Sequence, residues 1–311
     1  LTVGYLHNCA LREDNTAWCW GYGGNGRLGN DSSANATNVV QVLGDDWKTL
    51  VASGSSTCGI KNDGSLWCWG RGDYGQIGND TTSNFDTPQQ TGTDTDWEKV
   101  TLGGSHVCGL RAGGKLYCWG RNNYGQVGGA TSTVKEPVAI EPATVFTDVA
   151  AGHVHTCGIK QDGTLWCWGR NNDAQLGIGT NSGTFNTPQQ TSSDTDWASA
   201  SLGNSHGCAL KTSGALHCWG RNSEMQIGTG DTTRQKTPVE IDSGQLYSAI
   251  DLGQHTTCGL RKSDGSLWCW GNAENGQLGP GVEARTGTPV KVFDHTDWTT
   301  VEVGNEHICG S

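Results

Sequence analysis

Thr57-Cys58-Gly59-Ile60-Lys61-Asn62-Asp63-Gly64-Ser65-Leu66-Trp67-Cys68-Trp69-Gly70 decides the fold of this chain. Asp-Gly between two β-rich runs is a strong short-range hairpin signal, because glycine takes a positive φ without steric cost. Asp63 lies midway between Cys58 and Cys68, so the two cysteines stand opposite each other across the ladder. Cross-strand pairs without hydrogen bonds bring Cα atoms to about 4.5 Å, at the short end of disulfide geometry. The same symmetry holds for Cys9/Cys19, Cys108/Cys118, Cys157/Cys167 and Cys208/Cys218. Cys258/Cys269 has one extra turn residue, Ser263, which a bulge can absorb.

Outward from this hairpin the chain repeats. Its first-strand cysteines, Cys9, Cys58, Cys108, Cys157, Cys208, Cys258 and Cys309, are spaced by 49, 50, 49, 51, 50 and 51 residues. Behind each hairpin comes a glycine-rich loop such as Arg71 to Gly78, whose lone aliphatic residue, Ile77, is expected to plug the core while Gln76 bonds to backbone. A polar stretch follows, often ending in Thr-Pro (Thr87-Pro88, Thr187-Pro188, Thr237-Pro238, Thr288-Pro289), and Pro suits the edge of a strand. About four short strands per period is the content of one propeller blade. With 48 glycines and one methionine in 311 residues, long amphipathic helices are disfavoured and an all-β, single-domain reading over residues 1–311 follows.

The formal charge of -11 argues against nucleic acid as a partner, since that affinity comes from clustered Lys and Arg. No stretch approaches the roughly 18 apolar residues that span a bilayer, so no membrane insertion is expected in this segment. The chain begins at Leu1 inside a repeat without an initiator Met, so a signal peptide or anchor is expected to lie outside the segment.

Six copies of Leu-x-Cys-Trp-Gly, with Ala17 for Leu in the first, are each followed by a Gly-Gln-Leu-Gly-type loop and mostly preceded by Gly-x-x-His-x-Cys-x-Leu. Trp20, Trp69, Trp119, Trp168, Trp219 and Trp270, each followed by Gly, carry the resemblance of this chain to the regulator of chromosome condensation repeat family. The resemblance covers essentially the whole chain, in the manner of a secreted, cysteine-rich bacterial-type member, and implies a seven-bladed β-propeller of four-stranded blades. Its relatives include a chromatin-bound nucleotide exchange factor, an ultraviolet-B photoreceptor and a secreted inhibitor of β-lactamases. This chain lacks the basic tail of the first and the Gly-Trp-Arg-His-Thr motif of the second.

Paired cysteines at this density persist only in an oxidising compartment, which places the protein in a secreted, periplasmic or cell-surface setting. Two alternatives stay open here: a metal in each unit, using His-x-Cys at His106-x-Cys108, His155-x-Cys157 and His206-x-Cys208, or inert buried thiols. His7, His106, His155, His206 and His307 recur in register, which favours a repeated structural hydrogen bond over a site unique to one blade. Asp94-Thr95-Asp96, Asp194-Thr195-Asp196 and Asp294 to Asp297 offer oxygen ligands for calcium or, as the simpler reading, bonds to local backbone amides at the start of a strand. Asn30-Asp31-Ser32, Asn35-Ala36-Thr37 and Asn79-Asp80-Thr81 match the N-glycosylation pattern.

No triad, paired-carboxylate or phosphate-loop signature rises above the repeat, so the chain reads as a non-enzyme without cofactor or metal. The expected function is recognition of a protein or glycan, or a structural surface role, through variable loops at Asn30 to Asp46, Asn79 to Asp96, Gly129 to Val145, Ile178 to Asp196 and Thr229 to Leu246. An enzyme inhibitor like the β-lactamase-inhibiting relative is one alternative. A nucleotide-exchange regulator, cytosolic and reduced with a GTPase partner, is the other. Cys309 has no second-strand partner in this segment, which predicts a seventh blade completed by about forty residues past Ser311, or a place in a larger surface protein or assembly.

Overall fold

The computed structural model describes residues 1–129, 132–279, 282 and 284–311. Its unit is the hairpin that the sequence announces. In β6 (Ser56–Lys61) and β7 (Leu66–Gly70), Cys58 faces Cys68, Thr57 faces Trp69 and Gly59 faces Trp67. The turn is held by a relay: Asp63 Oδ1 accepts from the Ser65 amide at 2.9 Å and from its Oγ at 2.6 Å, and Ser65 Oγ accepts from Trp67 Nε1 at 2.9 Å. The relay recurs at Asp14–Thr16–Trp18, Asp162–Thr164–Trp166 and Asp264–Ser266–Trp268. In the last of these hairpins Ser263 widens the turn, and the ladder from Thr256↔Gly271 to Leu260↔Leu267 keeps its register, so the extra residue needs no bulge.

Each hairpin is flanked by an inner and an outer strand to give a four-stranded antiparallel sheet. The first unit is β1 (Thr2–Val3), β2 (His7–Leu11), β3 (Ala17–Gly21) and β4 (Ala36–Gln41); the second begins with β5 (Trp47–Ser53) and ends with β8 (Phe85–Gln90). The third contains β9 (Trp97–Leu102), β10 (His106–Arg111), β11 (Lys115–Arg121) and β12 (Thr133–Ala139). The fourth contains β13 (Phe146–Ala151), β14 (His155–Lys160), β15 (Leu165–Arg170) and β16 (Thr184–Gln190). The fifth and sixth share one long strand: β17 (Trp197–Leu202), β18 (His206–Lys211) and β19 (Ala215–Gly220) lead into β20 (Gln235–Leu252), which continues to β21 (Thr256–Arg261), β22 (Leu267–Gly271) and β23 (Thr286–Lys291). At the seventh position, among the described residues, stand β24 (Val301–Val303) and β25 (Ile308–Gly310). This is the all-β propeller that the repeat implies.

The core lies between neighbours. Trp69 of the second unit packs on Trp47 with ring centroids 5.5 Å apart, and its Nε1 donates to the Arg27 carbonyl of the first unit at 3.0 Å. Trp119 and Trp219 repeat the bond to the Gln76 and Gln175 carbonyls. Leu28, Ile77, Val127, Leu176, Ile227 and Leu278 are buried beneath the loops, as their lone-aliphatic pattern requires. Gln76 Oε1 accepts from the Tyr74 amide at 2.8 Å, and the same bond forms at Gln126, Gln175, Gln226 and Gln277. Trp20 departs from the series: its neighbour is the two-stranded seventh unit, and it is only half-buried.

The glycine after each of these tryptophans is a steric necessity. Gly70 has φ +97°, and a Cβ there would stand 2.6 Å from the Ser55 carbonyl oxygen and 2.9 Å from the Ser56 Cα. The Trp-Gly signature therefore records the close approach of the hairpin to the turn that precedes it.

Candidate functional site

The twelve hairpin cysteines form six disulfides, Cys9–Cys19, Cys58–Cys68, Cys108–Cys118, Cys157–Cys167, Cys208–Cys218 and Cys258–Cys269, with Cα separations of 4.0 to 4.1 Å. All twelve are fully buried. Cys309, opposite Glu302 in the seventh unit, is a free thiol, and burial followed by the nearby Glu302 carboxylate pushes its pKa up. With their sulfurs joined to one another, these cysteines offer no thiolate pair to a metal, so the His-x-Cys metal alternative fails at each unit.

The recurring histidines form a belt between blades. His7 Nε2 meets Thr57 Oγ1 at 2.8 Å, His106 meets Thr156 at 2.8 Å and His206 meets Thr257 at 3.0 Å, each pair joining consecutive units. The same hydroxyls donate to the carbonyls of Arg27, Gln126 and Gln226 in the loop of the preceding unit. His307 closes the series on Asn8 Oδ1 at 2.8 Å. Where the next unit offers Val107 or Ile308, the histidine is replaced by Ser56 or Thr256, whose hydroxyls turn to the Arg71 and Asn272 carbonyls. His155 is the exception: it is followed by Gly207, and neither ring nitrogen has a side-chain partner among the described residues. Burial drives the pKa of His7, His106, His155 and His206 down to about 3, so these rings are neutral near pH 7.

The Asp-Thr-Asp segments are cation clamps within the chain. Arg111 reaches Asp94 at 2.7 Å and Asp96 at 2.5 Å, while Lys211 reaches Asp194 at 2.7 Å and Asp196 at 2.5 Å. Their carboxylates are thus engaged by a side chain three residues past the facing cysteine, which departs from both the calcium and the backbone-amide readings. The Lys211 ammonium also holds the Asp194 carboxyl below its usual range.

The inner strands surround an axial cavity of about 310 Å³. Asp251 bridges three blades there, accepting from Ser201 Oγ at 2.9 Å and from the Val303 amide at 2.6 Å. Burial raises its pKa to about 6, and burial together with the Asp251 charge raises Glu302 to about 8. Tyr5 of the first unit reaches to the fourth at one mouth, its hydroxyl 2.6 Å from His153 Nδ1. Sequence reasoning missed both features, since the inner strands and the turns that follow them vary from unit to unit and carry no motif that pairs Asp251 with Ser201 or Tyr5 with His153.

The topology sorts the loops onto two rims. The hairpin turns and the links from outer to inner strands share one rim; the turns before the hairpins and the Arg71 to Gly78 type loops share the other. On the second rim the backbone of each post-Gly residue is hooked to the preceding turn: the amides of Arg71, Arg121, Arg170 and Arg221 donate to the carbonyls of Ser55, Ser105, Val154 and Ser205 at 2.9 to 3.0 Å. The five variable segments expected to form one face instead contain the outer strands, so each divides between the two rims. Positions 130 and 131 of the Gly129 to Val145 segment lie outside the described residues. Asn30 is partly buried, and Asn35 Oδ1 accepts from the Gly23 amide at 3.1 Å. Among the described residues, no helix is long and apolar enough to cross a membrane.

The family model described as RCC1-like domain matches residues 1–309. Among curated proteins, the chain is similar to RCC1 domain-containing protein RUG3, mitochondrial, of Arabidopsis thaliana, with 34% identity over 92 residues, 29% of this chain and 21% of that protein. It is similar to human Protein RCC2 with 36% identity over 78 residues, 24% of this chain and 15% of that protein. The matches therefore span about a fifth or less of these relatives. Among solved structures, Prp20p of Saccharomyces cerevisiae superimposes with a TM-score of 0.88 at 20% identity, covering 99% of this chain and 81% of that one. Human WBSCR16 gives the same score and identity over 99% and 85%. The ectodomain of the Physcomitrella patens receptor kinase CR4 gives 0.62 at 20% identity over 99% and 68%.

Proposed function

Since the chain belongs to the RCC1-like domain family, we propose that it is an extracellular, disulfide-stapled β-propeller that binds a partner protein through one rim and catalyses no reaction of its own. The observation that carries this reading is the six fully buried disulfides, one in every complete hairpin. Bonds of this density are stable in secreted and cell-surface proteins and rare in reducing compartments. Two relatives lend support. The structure of Prp20p is described with its binding to Gsp1p and histones, a protein-binding use of the fold, and CR4 carries a similar fold in a receptor ectodomain.

The recurrent histidines and aspartates are engaged in bonds that hold blades and loops together, which suits a display scaffold whose activity resides in its rims. A protein partner is preferred to a glycan because Trp69, Trp119, Trp168, Trp219 and Trp270 are buried in register, and the partly buried Trp18, Trp67, Trp166 and Trp268 are covered by Arg12, Lys61, Lys160 and Arg261. The test is a pull-down with the intact protein from the surface and secreted fractions of its source. The expected result is one enriched surface or secreted protein. Recovery of cytosolic GTPases alone would overturn the reading in favour of a nucleotide-exchange regulator.

A further inference from the structure

Resting on that reading, we propose that the rim bearing Arg121, Arg170 and Arg221 is the docking surface, and that the partner presents an acidic segment whose carboxylates enter these guanidinium forks. The residue after Trp-Gly is arginine in four consecutive units, Arg71, Arg121, Arg170 and Arg221. The hooked backbone bonds described above fix all four at the same height on one rim. Their heads are ordered too. The Arg121 guanidinium lies over the Tyr74 ring of the preceding unit at 4.7 Å, and that of Arg170 over Tyr124 at 5.5 Å. Arg121 and Arg170 therefore rest on a neighbour's aromatic ring, and Arg221 Nε donates to Ser223 Oγ at 2.8 Å, which reduces the side-chain entropy that binding would otherwise cost.

Both rims carry paired cations, and on the hairpin-turn rim Arg12, Lys61, Lys115 and Lys262 have no carboxylate partner among the described residues. On the hairpin-turn rim, Arg111, Lys160, Lys211 and Arg261 each pair with Asp or Glu of the same rim. On the other rim, Arg71 pairs with Asp73, Arg234 with Asp173 and Arg285 with Glu224, so the acidic groups close to the arc are engaged elsewhere. Arg121, Arg170 and Arg221 have no carboxylate partner among the described residues. In a chain of net charge -11, three adjacent units thus carry partly exposed guanidinium groups without a carboxylate counter-charge among the described residues.

His153 sits within the field of Arg121 and Arg170, and His255 within that of Arg221; burial first, then these charges, holds both histidines below their usual pKa. The positive charge of the arc at neutral pH is accordingly that of the arginines. A planar guanidinium matches a carboxylate in a bidentate fork. A long polyanion would feel the repulsion of the whole acidic molecule, screened only beyond about 8 Å in physiological salt, whereas discrete carboxylates meet the forks at short range.

The experiment uses the 1–311 chain with disulfides intact and fluorescence anisotropy of labelled probes: a twelve-residue Glu-Gly peptide, its Gln-Gly counterpart, a sulfated oligosaccharide and a thymidine oligonucleotide. The Glu-Gly peptide is expected to bind in preference to all three others. Combining Arg121→Gln, Arg170→Gln and Arg221→Gln should weaken it by about tenfold or more, the order of one lost charge-assisted contact. Lys115→Gln with Lys262→Gln, on the opposite rim, should leave it unchanged. Equal binding by the triple variant, with wild-type circular dichroism and melting temperature, would overturn the proposal, as would preference for the oligosaccharide or the oligonucleotide. These outcomes leave the surface-fraction pull-down untouched, so failure of the arc and failure of the extracellular binding role are separately visible.

Discussion

His106→Asn isolates one link of the histidine belt. His106 is 1% exposed, bonded to Thr156, and its pKa is lowered by burial to about 3. In the unfolded chain it returns to about 6.5. Acidification below that value protonates the unfolded chain and not the native one, so stability is lost as pH falls from about 6.5 toward 3. Asn carries no titrating group, and every other ionisable residue is common to both proteins. The difference in unfolding free energy between wild type and His106→Asn should therefore narrow by about 2 kcal/mol from pH 8 to pH 5, and by about 3 kcal/mol at pH 4. Urea unfolding at these pH values, followed by tryptophan fluorescence with the disulfides intact, measures the gap. A constant gap would mean that native His106 takes up protons like an exposed imidazole, and the belt would not be the sealed inter-blade contact described here.

Other perturbations address the remaining elements. Replacing Cys58 and Cys68 together by Ser opens a loop of sequence separation 10 and should lower stability by about 2 to 3 kcal/mol on the chain-entropy account, read from the denaturation midpoint. Gly70→Ala places a Cβ against the Ser55 carbonyl at a positive φ and should cost more than about 1 kcal/mol in the same assay, whereas Gly113→Ala, with open space around it but φ +77°, should cost less. Glu302 and Asp251 have raised pKa values in the fold, so their contribution is present at acid pH and is lost as pH rises toward 8; Glu302→Gln should gain stability relative to wild type between pH 5 and pH 8. A constant difference across that interval would place the Glu302 carboxylate in solvent.

The hairpin, the repeat, the buried aliphatic plug and the Trp-Gly turn were legible because each depends on residues within one fifty-residue window. Cys58 and Cys68 face each other for a reason that the turn alone supplies. The Asp63–Ser65–Trp67 relay was equally local, and its signal, Asp-x-Ser/Thr-x-Trp, stood in four hairpins beside the Asp-Gly reading. The belt shows where legibility stops. Histidine recurrence announced a structural bond, but its partner lies one period ahead, and only the register between blades reveals why Ser56 precedes Val107 in space and Thr256 precedes Ile308. The clamps on Arg111 and Lys211 and the arc of Arg121, Arg170 and Arg221 depend likewise on which loops share a rim.

The propeller's hairpins are stapled in register, and mass-spectrometric peptide mapping of the protein from its source, alkylated without reduction, tests this directly. The predicted map has Cys9–Cys19, Cys58–Cys68, Cys108–Cys118, Cys157–Cys167, Cys208–Cys218 and Cys258–Cys269 joined within their own hairpins. Alkylated thiols at Cys58 and Cys68, or bonds between different hairpins, would contradict both the stapled fold and the oxidising compartment inferred from it.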